Sequence, residues 1–377
     1  MFIRLIGKKI EEKLFRSKAI IIYGPRQVGK TTLLKTLFKE SYNGKKVNYI
    51  SCDDPTARAS LSNKGSVELR TIIGSCEIVI LDEAQLVENI GITIKLLVDN
   101  YPDLQVIATG SSSFDLANKI VEPLTGRSFE FSFYSMSLQE IEFNLSRSNV
   151  LSRMNNFLIM GTYPAVVSQP EYALDTLQNI SGGFLYKDIL AYEGIRKPEL
   201  LQKILTVIAR SQGSEISVQS IANDTDASQH TVSNYIYLLE QAHLIYTLRS
   251  VESNDITSIR KKKKYFITDT GIRNSLVGGY LSIETRSDVG QLWEMICVME
   301  RIKFHTNSGR IPKIYYWRYN DQEVDIVDLT PSFESAFECT WSLKGSKSKK
   351  IPKAFLQDFP NLKVSIVHHE NFWILYE

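Results

Sequence analysis

Glycine, lysine and hydroxyl residues come together at Gly24-Pro25-Arg26-Gln27-Val28-Gly29-Lys30-Thr31, followed by Thr32. This is the spacing of a loop whose backbone N–H groups wrap a chain of phosphates, with Lys30 reaching the β- and γ-phosphates and the Thr31 hydroxyl a ligand for Mg²⁺. The run follows the apolar stretch Ala19-Ile20-Ile21-Ile22-Tyr23 and opens a helical pattern over Thr31–Glu40. The helix would therefore turn its positive N-terminal end toward the anion. Further along, Ile78-Val79-Ile80-Leu81 ends in Asp82-Glu83. Asp82 supplies the carboxylate oxygen that a hard cation on phosphate requires. Glu83 beside it is placed to orient and deprotonate an attacking water. Together the two motifs predict binding of ATP with Mg²⁺, and hydrolysis.

Two further positions belong to the expected catalytic set. The fourth strand runs into Ala108-Thr109-Gly110-Ser111-Ser112-Ser113, and in a parallel sheet the carboxyl ends of neighbouring strands converge on the ligand. Ser111 is thus a candidate for contact with the γ-phosphate or the lytic water. Arg127, in Leu124-Thr125-Gly126-Arg127, is a candidate arginine finger, in cis or in trans, because charge on the transferring phosphoryl group rewards a guanidinium.

Elements to position these residues are legible as alternating short apolar runs and helical patterns. Strands are expected at 19–23, 47–51, 78–81, 104–109 and 129–133, with helices at 31–40 and 91–100 between them. Runs apolar on both faces suit a parallel sheet covered on each side. From about Ser137 to Arg210 the pattern is helical. Ser217 and Ser228 are then placed to cap two helices around a turn at 224–227. The second helix carries Val232, Tyr235, Ile236 and Leu239 on one face and Gln229, His230, Ser233, Asn234 and Tyr237 on the other. No Lys or Arg is on that outer face, so this helix alone would hold DNA weakly. A return to strands is expected at 264–267, 314–319, 323–328, 335–341 and 362–367.

The strings Tyr23 to Leu34, Leu81-Asp82-Glu83-Ala84-Gln85, Thr109 to Ser113 and Leu124 to Arg127 resemble prokaryotic AAA-type ATPases of the archaeal-ATPase group. Softer likeness continues in Gly161-Thr162-Tyr163-Pro164, Tyr186-Lys187-Asp188-Ile189 and Tyr265 to Gly271, with Lys187 where the family more often has arginine. The resemblance implies an α/β fold: a P-loop parallel sheet with a helical lid, then a winged helix and a restriction-endonuclease-like α/β domain. The expected divisions are 1–136, 137–205, 206–255 and 256–377. It also implies a PD-(D/E)xK-type metal site, matched here by Glu294, Asp325 and Glu338. Thr340 stands at the lysine position of that pattern. Threonine supplies no cationic donor, so the domain is expected to be catalytically degenerate, with Lys344 the lysine nearest to take the place.

Composition bounds the partners. The chain has 377 residues, 43% hydrophobic and 23% charged, with a formal charge of +2, which excludes a wholly basic DNA-coating protein. From residue 256 onward 18 basic residues stand against 14 acidic ones, while the preceding part carries 26 against 28. The runs Arg260 to Lys264 and Lys344, Lys347, Lys349, Lys350, Lys353 carry that excess. A DNA partner through the winged helix and these clusters is one expectation. A protein partner or homo-oligomer, in a nucleotide-controlled switch, is the alternative, and an active metal-dependent nuclease a more distant one. No secretory leader, membrane span or CxxC pair is present in the sequence, so a cytoplasmic location is expected.

Overall fold

The computed structural model describes residues 2–110, 124–184, 197–251 and 263–377. Its first part contains α1 (Ile6–Glu11), β1 (Ala19–Tyr23), α2 (Lys30–Leu37), β2 (Ser41–Tyr42), β3 (Lys45–Ser51), α3 (Pro55–Leu61), α4 (Ser66–Ile73), β4 (Ile78–Asp82), α5 (Ile90–Asn100), β5 (Gln105–Gly110) and β6 (Ser128–Ser132). The strands form one sheet in the order β2-β3-β4-β5-β1-β6, parallel apart from the β2–β3 hairpin. Every residue of β1, β4 and β5 is buried, because helices cover both faces. Alternation still sorts the side chains: Ile20, Ile22, Ile80 and Ile107 enter one core, and Ile21, Val79, Leu81 and Val106 the other. β1 lies between β5 and β6, so the loop after it opens at the carboxyl edge, where strand order switches.

The helical segment follows as α6 (Leu138–Leu145), α7 (Arg147–Ser152), α8 (Met154–Met160), α9 (Pro164–Ser168), α10 (Ala173–Asn179) and α11 (Pro198–Arg210). Helix α6 starts on a capping box: Ser137 Oγ accepts the Glu140 N–H at 3.1 Å, and Glu140 Oε2 accepts the Ser137 N–H at 3.0 Å. Next come β7 (Glu215–Ile216), α12 (Val218–Asp224), α13 (Gln229–Gln241), β8 (Ile245–Ser250) and β9 (Lys263–Ile267). Ser217 and Ser228 cap α12 and α13, accepting the N–H groups of Ser220 and Thr231. The α13 residues sort as their spacing predicts: Val232, Tyr235, Ile236 and Leu239 are buried, and Gln229, His230, Ser233, Asn234 and Tyr237 are exposed.

The last part holds α14 (Thr270–Val277), α15 (Val289–Asn307), β10 (Ile314–Tyr319), β11 (Gln322–Asp328), β12 (Ser335–Cys339), α16 (Leu343–Ser348), α17 (Lys353–Asp358) and β13 (Val364–Val367). Its strands do not form a separate sheet. One seven-stranded sheet runs β13-β12-β11-β10-β8-β9-β7, straight across the expected division at 255. β8 has two edges to satisfy: β9 pairs antiparallel with one, and β10 pairs parallel with the other through Tyr315↔Arg249 and Tyr316↔Ser250. Thirteen of the nineteen residues of α15 are buried, so this helix runs through the interior rather than along a surface. The larger of the apolar cores accordingly continues from Ile6 to Tyr376. Among the described residues, no helix is long and apolar enough to cross a membrane.

Candidate functional site

The phosphate-loop sequence folds as its glycines require. Gly29 adopts φ +98°, in the left-handed region that favours glycine, directly before α2. A Cβ on Gly24 would lie 2.0 Å from the Phe133 carbonyl oxygen, so only glycine passes this point. Lys30 is buried, and its Nζ donates to the Gly24 and Pro25 carbonyls at 2.6 and 2.9 Å. The ammonium is thereby held inside the loop.

Asp82, also buried, ends β4 and receives hydroxyl groups from three elements. Thr31 Oγ1 of α2 donates to its Oδ2 at 2.8 Å, the Tyr49 hydroxyl of β3 donates to the same oxygen, and Thr109 Oγ1 of β5 donates to Oδ1. Thr109 Oγ1 in turn accepts the Glu83 N–H at 3.1 Å. Burial beside Asp82 pushes the Tyr49 hydroxyl pKa up, which keeps it a donor. Glu83 itself sits at φ +54°, an uncommon conformation for a side chain of its size, and its Oε2 accepts from Gln85 Nε2 at 2.6 Å. The carboxylate expected to act on water is therefore held by a neighbour two residues on.

Of these groups Gly29, Lys30, Thr31 and Glu83 border a cleft of about 1010 Å³. One wall is the loop from Arg26 to Thr32, with Glu83. The opposite side is supplied by Phe2, Ile3 and Arg4 before α1, and by Arg153, Pro164 and Val167 of the helical segment. Arg4 is buried and reaches the loop directly, its Nη1 donating to the Val28 carbonyl at 2.6 Å.

The expected catalytic residues do not all converge. Lys30, Thr31, Asp82 and Glu83 meet at the carboxyl edge of the sheet. Ser111 lies outside the described residues, as do Tyr186 to Ile189 and Arg260 to Lys262. Arg127 precedes β6, whose Ser128 is opposite Ala19 at the start of β1. It is thus at the other end of a five-residue strand from the phosphate loop, roughly 16 Å away at about 3.3 Å per residue. There it pairs with Asp99 at 2.7 Å, so the expected cis contact with its own phosphate loop is not made. Thr109, Tyr49, Gln85 and Arg4 were not predicted as site residues. Thr109 had a usable signal, since it directly ends the strand beside the Asp82 strand. Tyr49 and Arg4 had none, because a strand tyrosine and an arginine before a helix are common everywhere.

A second acidic group forms on the other sheet. Glu294 of α15 meets Glu323 and Asp325 of β11, each offering an oxygen within 4.8 Å of the others. Glu338, expected to join Glu294 and Asp325, is not in that group of three but lies beside Asp325, and it pairs with Lys349 at 2.5 Å. Lys349 also reaches Asp325 Oδ2 at 3.0 Å and the Cys339 carbonyl at 2.8 Å. It fills the place expected to lack a lysine; Lys344 is exposed. On the other side, Lys264 Nζ bonds Glu294 at 2.8 Å and also Glu323. Burial, with Asp325 repelling, pushes Glu338 up to about 8, and burial also raises Glu294. The facing carboxylates raise Lys264 and Lys349 against the opposing pull of burial.

Residues 16–142 match a family model described as an AAA domain. In this part the chain is similar to AAA domains. Residues 151–286 match a second model, described as a domain of unknown function. Over nearly its whole length the chain is similar to uncharacterized proteins of Methanocaldococcus jannaschii (24% identical, 97% of this chain and 84% of that protein) and Mycobacterium tuberculosis (24%, 96% and 78%). Solved structures similar to it include the Walker-type ATPase of Pyrococcus abyssi (17% identical, TM-score 0.49, 72% of this chain and 94% of that one). AMPPCP-bound DnaA from Aquifex aeolicus is another (18%, 0.27, 62% and 86%).

Proposed function

We propose that the AAA domain binds ATP with Mg²⁺ in the cleft and hydrolyses it, and that turnover drives a conformational cycle on a nucleic-acid partner. The observation that carries the hydrolytic reading is the position of Thr109: one hydroxyl ties the Asp82 carboxylate to the Glu83 backbone. The metal-side and water-side acids therefore share one rigid edge. Lys30 exchanges the Gly24 and Pro25 carbonyls for phosphate oxygens, which takes no unpaired charge through the interior. Thr31 and Asp82, 2.8 Å apart, form an all-oxygen donor pair that fits a hard cation. Bound there, Mg²⁺ supplies neutralisation of phosphate charge. Glu83, held by Gln85, accepts the proton of the attacking water. The test is a pair of variants. Lys30→Ala loses ATP binding, whereas Glu83→Gln binds ATP and loses turnover by at least about 100-fold. Unchanged turnover in Glu83→Gln removes that residue from its role.

The nucleic-acid reading is supported by the polar outer face of α13, read as a winged-helix recognition helix, and by exposed Lys344, Lys347, Lys350 and Lys353. A filter-binding titration against salt checks it, since phosphate contacts make affinity fall steeply with ionic strength. The lack of any Lys or Arg on that face of α13 favours a second reading, a nucleotide-controlled switch that docks protein. Absence of DNA binding at low salt selects it. With Lys349 beside Asp325 and Glu338 the missing lysine no longer argues for a degenerate site, whereas Lys264, buried between Glu294 and Glu323, supports packing or binding for the last domain.

A further inference from the structure

The cleft and the C-terminal sheet are the two ends of a buried polar route that begins at Arg4. Its guanidinium donates to the Val28 carbonyl at 2.6 Å, to the Tyr134 carbonyl at 2.8 Å and to Glu140 Oε1 at 2.9 Å, and lies 4.0 Å from the centre of the Phe133 ring. The contact with Val28 has a directional consequence. In a trans peptide the C=O and N–H point opposite ways. Holding the Val28 oxygen toward Arg4 therefore turns the Gly29 N–H away from it, the direction a phosphate cradle requires. Any rotation of that peptide on nucleotide binding must move Arg4, which has no slack across three hydrogen bonds and a ring contact.

Beyond Arg4 the route branches. Glu140, fully buried, also accepts the Leu5 N–H at 3.0 Å and closes the Ser137 capping box. The same few residues are gripped from the far side by α15. Glu300 Oε2 accepts the Leu138 N–H at 2.6 Å, Lys303 Nζ donates to the Met136 carbonyl at 3.0 Å, and Asn307 Nδ2 donates to Ser137 Oγ at 3.4 Å. Six residues before Glu300, roughly 9 Å along the helix, is Glu294 of the acidic group. Trp293 beside it donates to the Val367 carbonyl of β13 at 3.2 Å. The second branch is the Tyr134 ring, edge-on to His243 just past α13 at 5.3 Å.

We propose that Arg4 and Glu140 are a positioning pair that orients the Val28–Gly29 peptide of the phosphate loop and transmits its occupancy through α15 to the C-terminal sheet. The pair rests on the ATP-binding reading above, and one property of the sequence separates the two. All four tryptophans, Trp293, Trp317, Trp341 and Trp373, lie in the last part of the chain, so tryptophan emission reports that part and not the phosphate loop. A packed interior passes on displacements rather than absorbing them.

The experiment uses the full chain. ATP binding is measured by equilibrium dialysis, and tryptophan emission is titrated with ATP in parallel. In the wild type, emission changes with the midpoint found by dialysis. Glu140→Gln and Arg4→Lys still bind ATP, within about tenfold, and the emission change falls at least about fivefold. Glu300→Gln, which leaves every phosphate-loop contact in place, loses the emission change with ATP affinity unaltered, and it carries the test should the Arg4 variant not fold. Wild-type binding without any emission change overturns the coupling. So does a full emission change in Glu140→Gln and Glu300→Gln. No dialysis binding by the wild type overturns the ATP reading itself.

Discussion

Two acidic sites lie at the two sheets, and their surroundings treat charge in opposite ways. Asp82 is surrounded by hydroxyls: Thr31, Tyr49 and Thr109 orient its carboxylate and leave its charge uncancelled. Glu294, Glu323, Asp325 and Glu338 are interleaved with Lys264 and Lys349, whose ammonium groups come from within the chain. Neutral donors fix geometry without satisfying charge, which is what the proposed Mg²⁺ at the first site requires. The second already contains its own, and a divalent ion would have to break the ion pairs of buried Lys264 and half-buried Lys349 and shed its own water. Acidic residues in proximity are thus a poor indicator of metal binding until the surrounding donors are known.

The largest expected effect comes from removing a lysine. Lys349→Met leaves Asp325 and Glu338 without their shared cation, although Asp325 keeps the Cys339 N–H, and a loss of roughly 3 kcal/mol in urea-denaturation stability is expected, since breaking such a pair strands its charge. Added Mn²⁺ should restore part of this in the variant and none in the wild type. Equal metal response in both would break the contrast between the sites.

Next is the junction of the two halves at His243. Burial, with Lys30 nearby, lowers its pKa to about 4. Its neutral form is favoured by the fold, so its contribution is whole above about pH 6.5 and is lost as pH falls through 4, on the order of 3 kcal/mol in total. His243→Phe should flatten that part of the acid-stability profile in thermal melts at pH 4 to 7. The smallest effect is Tyr49→Phe. Asp82 keeps two of its three hydroxyls, so affinity for Mg²⁺-ATP should fall by about fivefold, near 1 kcal/mol, with ATP affinity in EDTA unchanged. An equal loss in EDTA would mean that Tyr49 serves the loop rather than the metal side.

How much of this was legible depended on the range of the interaction. The strands at 19–23 and 314–319, that at 264–267 to within a residue, the caps Ser217 and Ser228 and the buried face of α13 follow from patterns a few residues long. The phosphate loop and Asp82-Glu83 are likewise local, because a loop that wraps phosphates must have its glycines and lysine in fixed order. The partners of Glu338 and Arg127, Lys349 and Asp99, are 11 and 28 residues away and are chosen by packing, so no local pattern announces them.

The sequence by itself determined the chemistry proposed for the phosphate-loop sheet, since Gly29, Lys30, Thr31, Asp82 and Glu83 are specified by types and spacings that survive any arrangement of the rest. Only the tertiary structure decided what holds them. Arg4 meets Glu140 across 136 residues, Thr109 meets Asp82 across 27, and β8 accepts β10 into a sheet that erases an expected domain division. A hydrogen bond has a direction as well as two partners, and for groups distant in the chain that direction exists only once the layers have packed.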